Sequence, residues 1–405
     1  MENIEKVYVI QPRLNDNCKV LHDEAVALIE SAGAQYCGTA YQTIKTINPA
    51  TYIGSGKLEH IRSLLAGLDD VTVLFNGSLT PSQTLNISAA LDDRKVIDRT
   101  TLILDIFAGR ATSSEGKIQV ELAQLKYIYP RLKGKGSALS RLGGGIGSRG
   151  PGETQLETDR RHIRARIKYL EERLAETEQR RALTVKRRSK NNIKTIALVG
   201  YTNTGKSTLL NKLTGANVLE KDALFATLDP TARKVTFGGI DFLLVDTVGF
   251  LQDLPHDLVE AFKSTLESAL NCDLALIVCD ATGDYDMQFK TTMDTLGELG
   301  FDRPYLKVLN KCDGLDDLTP FSDFVCISAK YGQGLNELEN KIVQKFETTF
   351  TVCRLAVPYS EISAFSRYGE LINEKMRKYD EGGLKIECVV ENIHLPKLKK
   401  YIVKD

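Results

Sequence analysis

Gly200-Tyr201-Thr202-Asn203-Thr204-Gly205-Lys206-Ser207 is the stretch on which the reading of this chain turns. It follows an apolar run, Ile196-Ala197-Leu198-Val199, and opens a helical pattern that continues through Thr208. Strand, glycine-bounded loop, lysine, hydroxyl and helix in that order fit a phosphate-binding loop. Gly200 and Gly205 let the backbone curl until its N–H groups converge on an anion, and the following helix adds its positive end. Lys206 is expected to reach the outer phosphates, and Ser207 to hold Mg²⁺. Chance alone produces such an octet now and then, so its weight depends on what surrounds it.

Three further signals follow in order, each at the end of an apolar run. Asp246-Thr247-Val248-Gly249 ends Phe242–Val245; Asp246 can hold the metal through water, and the Gly249 N–H can sense a terminal phosphate. Asn310-Lys311-Cys312-Asp313 ends Leu306–Leu309. A carboxylate at Asp313 can accept hydrogen bonds from the N1–H and 2-amino group of guanine. Adenine lacks both donors on that edge, so GTP and GDP are expected rather than adenine nucleotides. Ser328-Ala329-Lys330 can close over the base with a backbone N–H, and Asn310 can tie the base loop to the phosphate loop. Strand-end placement of all four segments is where open α/β sheets bind ligands. Between the phosphate loop and Asp246 lies Phe225-Ala226-Thr227-Leu228-Asp229-Pro230-Thr231. Thr227 is the expected switch ligand of the metal and Thr231 the alternative; a plain helix-capping hydroxyl is the bland reading of either. Lys206, Thr227 and Gly249 are the expected catalytic set. Phe250 stands where Ras-like switches carry a water-orienting Gln, and Phe cannot hydrogen-bond a water, so unaided hydrolysis is expected to be slow. Asn203 sits where some GTPases hold a potassium ion beside the phosphates, although a turn-stabilising Asn explains it equally well.

Outward from this core the chain changes character. Residues 1–112 alternate strand-like and helix-like patches, including Val7–Ile10, a helix from Val20 to Ser31, Val71–Phe75 and the helix start Thr80-Pro81, which suggests a small α/β domain with a parallel sheet. Residues 113–190 read as a helical hairpin. Its first helix is expected to stop at Pro130. Its tip, residues 134–152, holds eight glycines and is expected to be neither helix nor strand. The second helix is expected to begin at Thr154 with a Thr154-x-x-Glu157 capping box, and Leu156, Ile163, Ile167, Leu170 and Leu174 form a seam toward a partner helix. Residues 191–348 give the nucleotide domain with a mostly parallel sheet. Residues 349–405 are a small α+β segment.

Formal net charge is zero, yet Lys126 to Lys190 holds 18 Lys or Arg against 7 Asp or Glu. A net of +11 set in an otherwise acidic chain points to a polyanion. Lys133, Lys135, Arg141, Arg149, Arg160 and Arg161 are the candidate RNA contacts, with a flexible linker and a solvated helix face as the plain alternatives. Apolar residues make up 42% and charged residues 26%, ordinary for a soluble globular protein. No leader or membrane span is visible, and a cytoplasmic monomer is the default. The eight cysteines show no Cys-x-x-Cys spacing, which argues against zinc.

Several longer strings resemble the HflX family of translation-associated GTPases, in the Obg–HflX superfamily. They are Tyr52-Ile53-Gly54-Ser55-Gly56-Lys57, Asp98-Arg99-Thr100, Gly116-Lys117-Ile118-Gln119-Val120-Glu121, Gly150-Pro151-Gly152-Glu153-Thr154-Gln155 and Phe225-Ala226-Thr227-Leu228-Asp229-Pro230-Thr231. The resemblance implies the ribosome as partner, chiefly the large subunit and its rRNA. It also implies splitting of stalled or stress-inactivated ribosomes and a GTPase that ribosomes stimulate. An assembly or docking factor for the large subunit is the alternative, and an adaptor with an idle nucleotide fold is a weaker one. Some family members are described as using ATP through the N-terminal domain. Gly54-Ser55-Gly56-Lys57 could suggest such a contact, but Leu58 stands where the phosphate-loop hydroxyl belongs, and a helix-capping turn is the stronger reading.

Overall fold

The computed structural model describes residues 4–13, 18–68, 70–139, 151–190, 193–215, 224–225, 231–252 and 263–403. They form two compact units. One is Met1–Glu178 with Lys221–Asp229 and Leu251–Thr265; the other is Gln179–Glu220, Pro230–Phe250 and Leu266–Asp405.

The first unit is built on a four-stranded parallel sheet in the order β2-β1-β3-β4, with β1 Lys6–Arg13, β2 Gln35–Thr43, β3 Val71–Phe75 and β4 Val96–Asp98. Strands covered on both faces read as unbroken apolar runs, and Val71–Phe75 is buried at every position. Helices α1 Cys18–Ser31, α2 Ser55–Leu65, α3 Pro81–Ala90 and α4 Arg99–Arg110 follow the strands. Thr80 caps α3 as its sequence predicts: its hydroxyl accepts from the Gln83 N–H, and the Gln83 side chain accepts from the Thr80 N–H. Arg99 is buried with its guanidinium 2.6 Å from Glu24 and 2.9 Å from Asn76 Oδ1. Two short stretches join this unit. Leu224 N donates to Ser31 Oγ, the Phe225 ring meets Phe107 edge-on at 4.5 Å, and Arg99 donates to the Gln252 carbonyl.

The hairpin corrects the sequence reading in three places. Helix α5 spans Ser114–Leu139 and runs through Pro130, so residues 134–139 are helical rather than part of a glycine-rich loop. Proline removes one backbone donor and strains the turn before it, and its neighbour Arg131 compensates. The Arg131 guanidinium lies over the Tyr127 ring, donates to the carbonyls of Tyr127 and Leu79, and pairs with Asp98. Helix α6 begins at Pro151, not Thr154, and extends to Lys190, which places Thr154 inside it and removes the capping box. Proline suits a first helical position because the missing N–H is not needed there. The seam is present where side chains are described: Leu170 is buried and Ile163, Ile167 and Leu174 are half-buried. Arg166 grips Glu121 with two bonds of 2.7 and 2.9 Å, and Lys126 reaches Glu171 at 2.8 Å.

The second unit carries a six-stranded sheet, β10-β9-β8-β5-β7-β6. Its strands are β5 Lys194–Gly200, β6 Thr231–Phe237, β7 Ile240–Asp246, β8 Leu274–Asp280, β9 Tyr305–Asn310 and β10 Val325–Cys326. All pairings are parallel except the edge hairpin β6–β7. Helix α7, Lys206–Thr214, leaves the end of β5. A smaller antiparallel sheet follows, β11-β13-β12, from β11 Phe350–Val357, β12 Ile372–Asp380 and β13 Gly383–Glu391. Phe346, Phe350 and Val389 join the core of the larger sheet around Phe242, and Lys194 pairs with the buried Glu391 at 2.9 Å. The fold class is therefore α/β: a phosphate-loop domain with a mostly parallel sheet, preceded by a small α/β unit with a helical hairpin and followed by a small α+β segment. Among the described residues no helix is long and apolar enough to cross a membrane.

Candidate functional site

The ends of β5, β7, β9 and β10 bring the four signals together. The Gly200–Ser207 loop starts on β5, where a side chain on Gly200 would meet the Val278 carbonyl of β8 at 2.2 Å. Gly205 has φ +86° and caps α7; a Cβ there would lie 2.3 Å from Asn310 Nδ2. Only glycine fits such close approaches. Gly249 closes the other side, its ideal Cβ position being 2.8 Å from Thr202 Cα and 3.0 Å from Lys206 Nζ. Three residues without side chains thus let β8, Asn310 and the β7 turn close in around the phosphate-loop cradle, with a buried ammonium at its edge.

Lys206 is buried and donates to the carbonyls of Gly200 and Tyr201 at 3.1 and 2.6 Å. Burial pulls its ammonium down from an ordinary value of 10.5 to about 8, against the pull of Asp246. A phosphate in the cradle would supply the counter-charge that burial withholds. Ser207 Oγ donates to Asp246 Oδ2 at 2.6 Å, so the two oxygens expected to share a metal already converge. This hydroxyl and carboxylate are hard oxygen donors, as Mg²⁺ requires. Thr247 donates to the Leu198 carbonyl and fixes the start of the Asp246–Gly249 turn. Phe250 is buried, and its backbone zips onto the phosphate loop: its N–H donates to Gly200 O, and its carbonyl accepts from Thr202 N. Thr204 Oγ1 donates to the Tyr201 carbonyl within the loop. Asn203 is exposed with φ +59°, a backbone geometry Asn tolerates in turns.

Asn310 is the tie between the base and phosphate loops. Its Nδ2 donates to Thr204 O at 2.8 Å, and its Oδ1 accepts from Ala329 N at 2.9 Å. Ser328 Oγ donates to Asp313 Oδ1 at 2.7 Å and holds that carboxylate in place. Lys311, at φ +64°, reaches Asp280 with a 2.6 Å ion pair. Sequence reasoning missed Asp280; its signal was an acidic residue ending the apolar run Leu274–Cys279, as Asp246 ends its own run.

Phe225 is buried against Phe107 in the first unit. Thr231 opens β6 in register with Asp246. Ala226 and Thr227 lie outside the described residues, as do Arg141 and Arg149. Lys133 and Lys135 are on α5, their side chains outside the description. Arg160 lies 5.4 Å over the Tyr129 ring and Arg161 is exposed on α6. In the first unit Gly54 caps α2 through its carbonyl, which accepts from Lys57 and Leu58, as a plain helix-starting turn does.

Residues 20–108 match the family model described as GTP-binding GTPase N-terminal, residues 110–188 the GTP-binding GTPase Middle Region, and residues 195–311 the 50S ribosome-binding GTPase. GTPase HflX of Caldanaerobacter subterraneus subsp. tengcongensis is 47% identical, covering 94% of this chain and 90% of that protein. GTPase HflX of Escherichia coli K12 is 40% identical over 86% of this chain and 84% of that protein. Among solved structures, a GTP-binding protein from Sulfolobus solfataricus in complex with GDP is similar at 26% identity, 84% of this chain, 98% of that one and a TM-score of 0.46. With the phosphate cradle, the buried lysine and the two HflX relatives along most of its length, the chain belongs to the HflX family of GTPases and is a GTP-hydrolysing enzyme.

Proposed function

We propose that this GTPase binds the ribosome, chiefly the large subunit and its rRNA, and promotes dissociation of stalled or stress-inactivated particles. The observation that carries the reading is the arginine-rich hairpin. Residues 126–190 carry a net charge of +11, of which +9 lies on two long helices joined by their apolar seam, a cationic arm suited to the phosphates of folded RNA. The description of the model matched at residues 195–311, 50S ribosome-binding GTPase, supports the same partner.

In the nucleotide site the backbone N–H groups of residues 203–208 and the Lys206 ammonium hold the phosphates. Gly249 N–H faces the terminal one, and Asp313 reads guanine while Ser328, Ala329 and Lys330 close over it. Ser207 and Asp246 would hold Mg²⁺, with Thr227 completing the set. The metal supplies charge neutralisation at the phosphates. Phe250 offers no hydrogen bond to a water, so unaided turnover is slow and the ribosome accelerates it by repositioning the switch segments. Comparing rates in potassium and sodium buffers tests the ion at Asn203. The protein acts in the cytoplasm, partly on ribosomes.

Sedimentation of intact ribosomes with protein and GTP tests the reading. Loss of the intact particle in favour of free subunits is expected. Co-sedimentation that leaves the particle intact would favour an assembly or docking role, and no co-sedimentation would remove the ribosome altogether.

A further inference from the structure

Lys311 stands in the base loop, between Asn310 and Asp313, and its backbone adopts a conformation that lysine seldom takes. Its φ is +64°, in the left-handed region that residues other than glycine and asparagine occupy at a cost. The chain path explains the need. β9 ends at Asn310, and the single 3-10 turn Cys312–Gly314 begins directly after Lys311. The left-handed residue swings the chain off the strand end and so sets the direction of Asp313. A strained residue keeps such a geometry only where its surroundings hold it.

What holds it is Asp280. The Lys311 ammonium meets Asp280 Oδ2 at 2.6 Å. That carboxylate is itself pinned. Its other oxygen accepts from the N–H and the hydroxyl of Thr282 at 2.9 and 2.7 Å. The Asp280 N–H donates at 2.8 Å to Oε1 of Gln288, a buried side chain on the helix Tyr285–Glu298. Asp280 also lies in register with Asn310 across β8 and β9, and the Ala281 N–H donates to the Asn310 carbonyl at 2.9 Å. The acid at this strand end is therefore a fixed post. A charge-assisted bond to a fixed group can hold a strained turn, whereas a bond to a mobile side chain spends much of its gain on ordering that chain. The far side of the turn is held separately, by Ser328 Oγ on Asp313 and by the Cys312 N–H on the Ile327 carbonyl at 3.1 Å.

We propose that Asp280 is a positioning residue for guanine recognition: through its ion pair with Lys311 it holds the left-handed turn that aims the Asp313 carboxylate at the N1–H and 2-amino group of the base. The inference rests on the reading of Asp313 as the group that selects guanine. Asp280 need touch no nucleotide. Its effect passes through Lys311, and it governs discrimination between bases while leaving the phosphate cradle as it is.

Titration calorimetry of the full chain with GDP and with inosine diphosphate tests this. Inosine keeps the N1–H and lacks the 2-amino group, so the ratio of the two affinities reports how well the carboxylate is aimed. Asp280→Ala is expected to weaken GDP binding by roughly 3–10-fold. Inosine diphosphate should lose less, because it has one bond to Asp313 at stake where GDP has two, and the ratio narrows. The second background is Lys311→Gly, since glycine takes the left-handed conformation without a tether. There the Asp280→Ala change is expected to leave the ratio unmoved, the pattern of two residues acting as one unit. An unchanged ratio in Asp280→Ala alone, equal losses for both nucleotides, or the same narrowing in both backgrounds would each overturn the proposal. A native chain that binds both nucleotides equally would instead remove Asp313 as the reader of guanine, and this proposal with it.

Discussion

The chain builds one parallel and one mostly parallel sheet, and beside each a glycine-and-lysine turn opens a helix, yet only one turn makes a phosphate site. At Gly54-Ser55-Gly56-Lys57 nothing lies within 4 Å of the Cβ positions of either glycine, and the turn is exposed. At Gly200–Ser207 both glycines are crowded by a neighbouring strand or loop, Lys206 is buried, and Asn310 reaches across from the end of another strand. A helix start alone offers a few N–H groups and half a charge. A phosphate site also needs the loop folded back over the sheet, so that backbone, ammonium and carboxylate from separate strands face one small volume.

The largest break between the two turns should come from their lysines. Lys206→Ala is expected to lower GTP hydrolysis by roughly 10²–10³, and Lys57→Ala to leave it within about twofold, both measured as initial rates at saturating GTP. Next in size is Asn310→Ala. It leaves the Thr204 carbonyl and the Ala329 N–H without their buried partner. The nucleotide-free protein should lose about 2–4 kcal/mol in urea unfolding, from two groups at about 1–2 kcal/mol each.

A pH series sharpens the same contrast. Burial lowers the Lys206 value to about 8 in the nucleotide-free protein, so the buried charge weakens the folded state below that pH. Stability of the nucleotide-free protein should therefore rise as pH climbs from about 8 toward the ordinary lysine value. Phosphates favour the charged form, so nucleotide binding above pH 8 takes up a proton. GDP affinity should fall by up to about tenfold per pH unit there, read by titration calorimetry. Lys206→Arg should flatten that decline. The smallest effect is expected at the open turn. Gly56→Ala meets free space in the first turn of α2 and should stabilise the first unit by about 0.5–1 kcal/mol, seen as a small rise in thermal midpoint. At Gly249 the added methyl meets Thr202 and Lys206 instead and should cost activity.

The nucleotide site was legible in the sequence because its parts are local strings at strand ends. Residues 200–207, 246–249, 310–313 and 328–330 each carry their own spacing, and strand-end placement follows from the apolar run before each. Asp280 went unread although it ends an apolar run, because its partner Lys311 is fixed by tertiary pairing of β8 and β9 rather than by any nearby residue. The hairpin misled for a related reason. Pro130 and the glycines at 134 and 136 argue locally for a stop, but Arg131 anchors the turn through Leu79 and Asp98, two residues brought to it only by the fold. Edge strand β6 was missed because its alternation follows a stretch read for switch chemistry. The Phe225 ring packs edge-on against Phe107, a contact no local pattern announces.

The central claim is that guanine is read by one carboxylate, Asp313, held by Ser328 beside the phosphate cradle. Hydrolysis of GTP and xanthosine triphosphate by the native chain and by Asp313→Asn tests it most directly. Xanthine carries a carbonyl where guanine has its 2-amino group, and an amide can donate to that oxygen where a carboxylate cannot. The account expects the native chain to hydrolyse GTP and ignore xanthosine triphosphate, and the variant to reverse the preference. A variant that keeps its preference for GTP would contradict the assignment and place base recognition elsewhere in the chain.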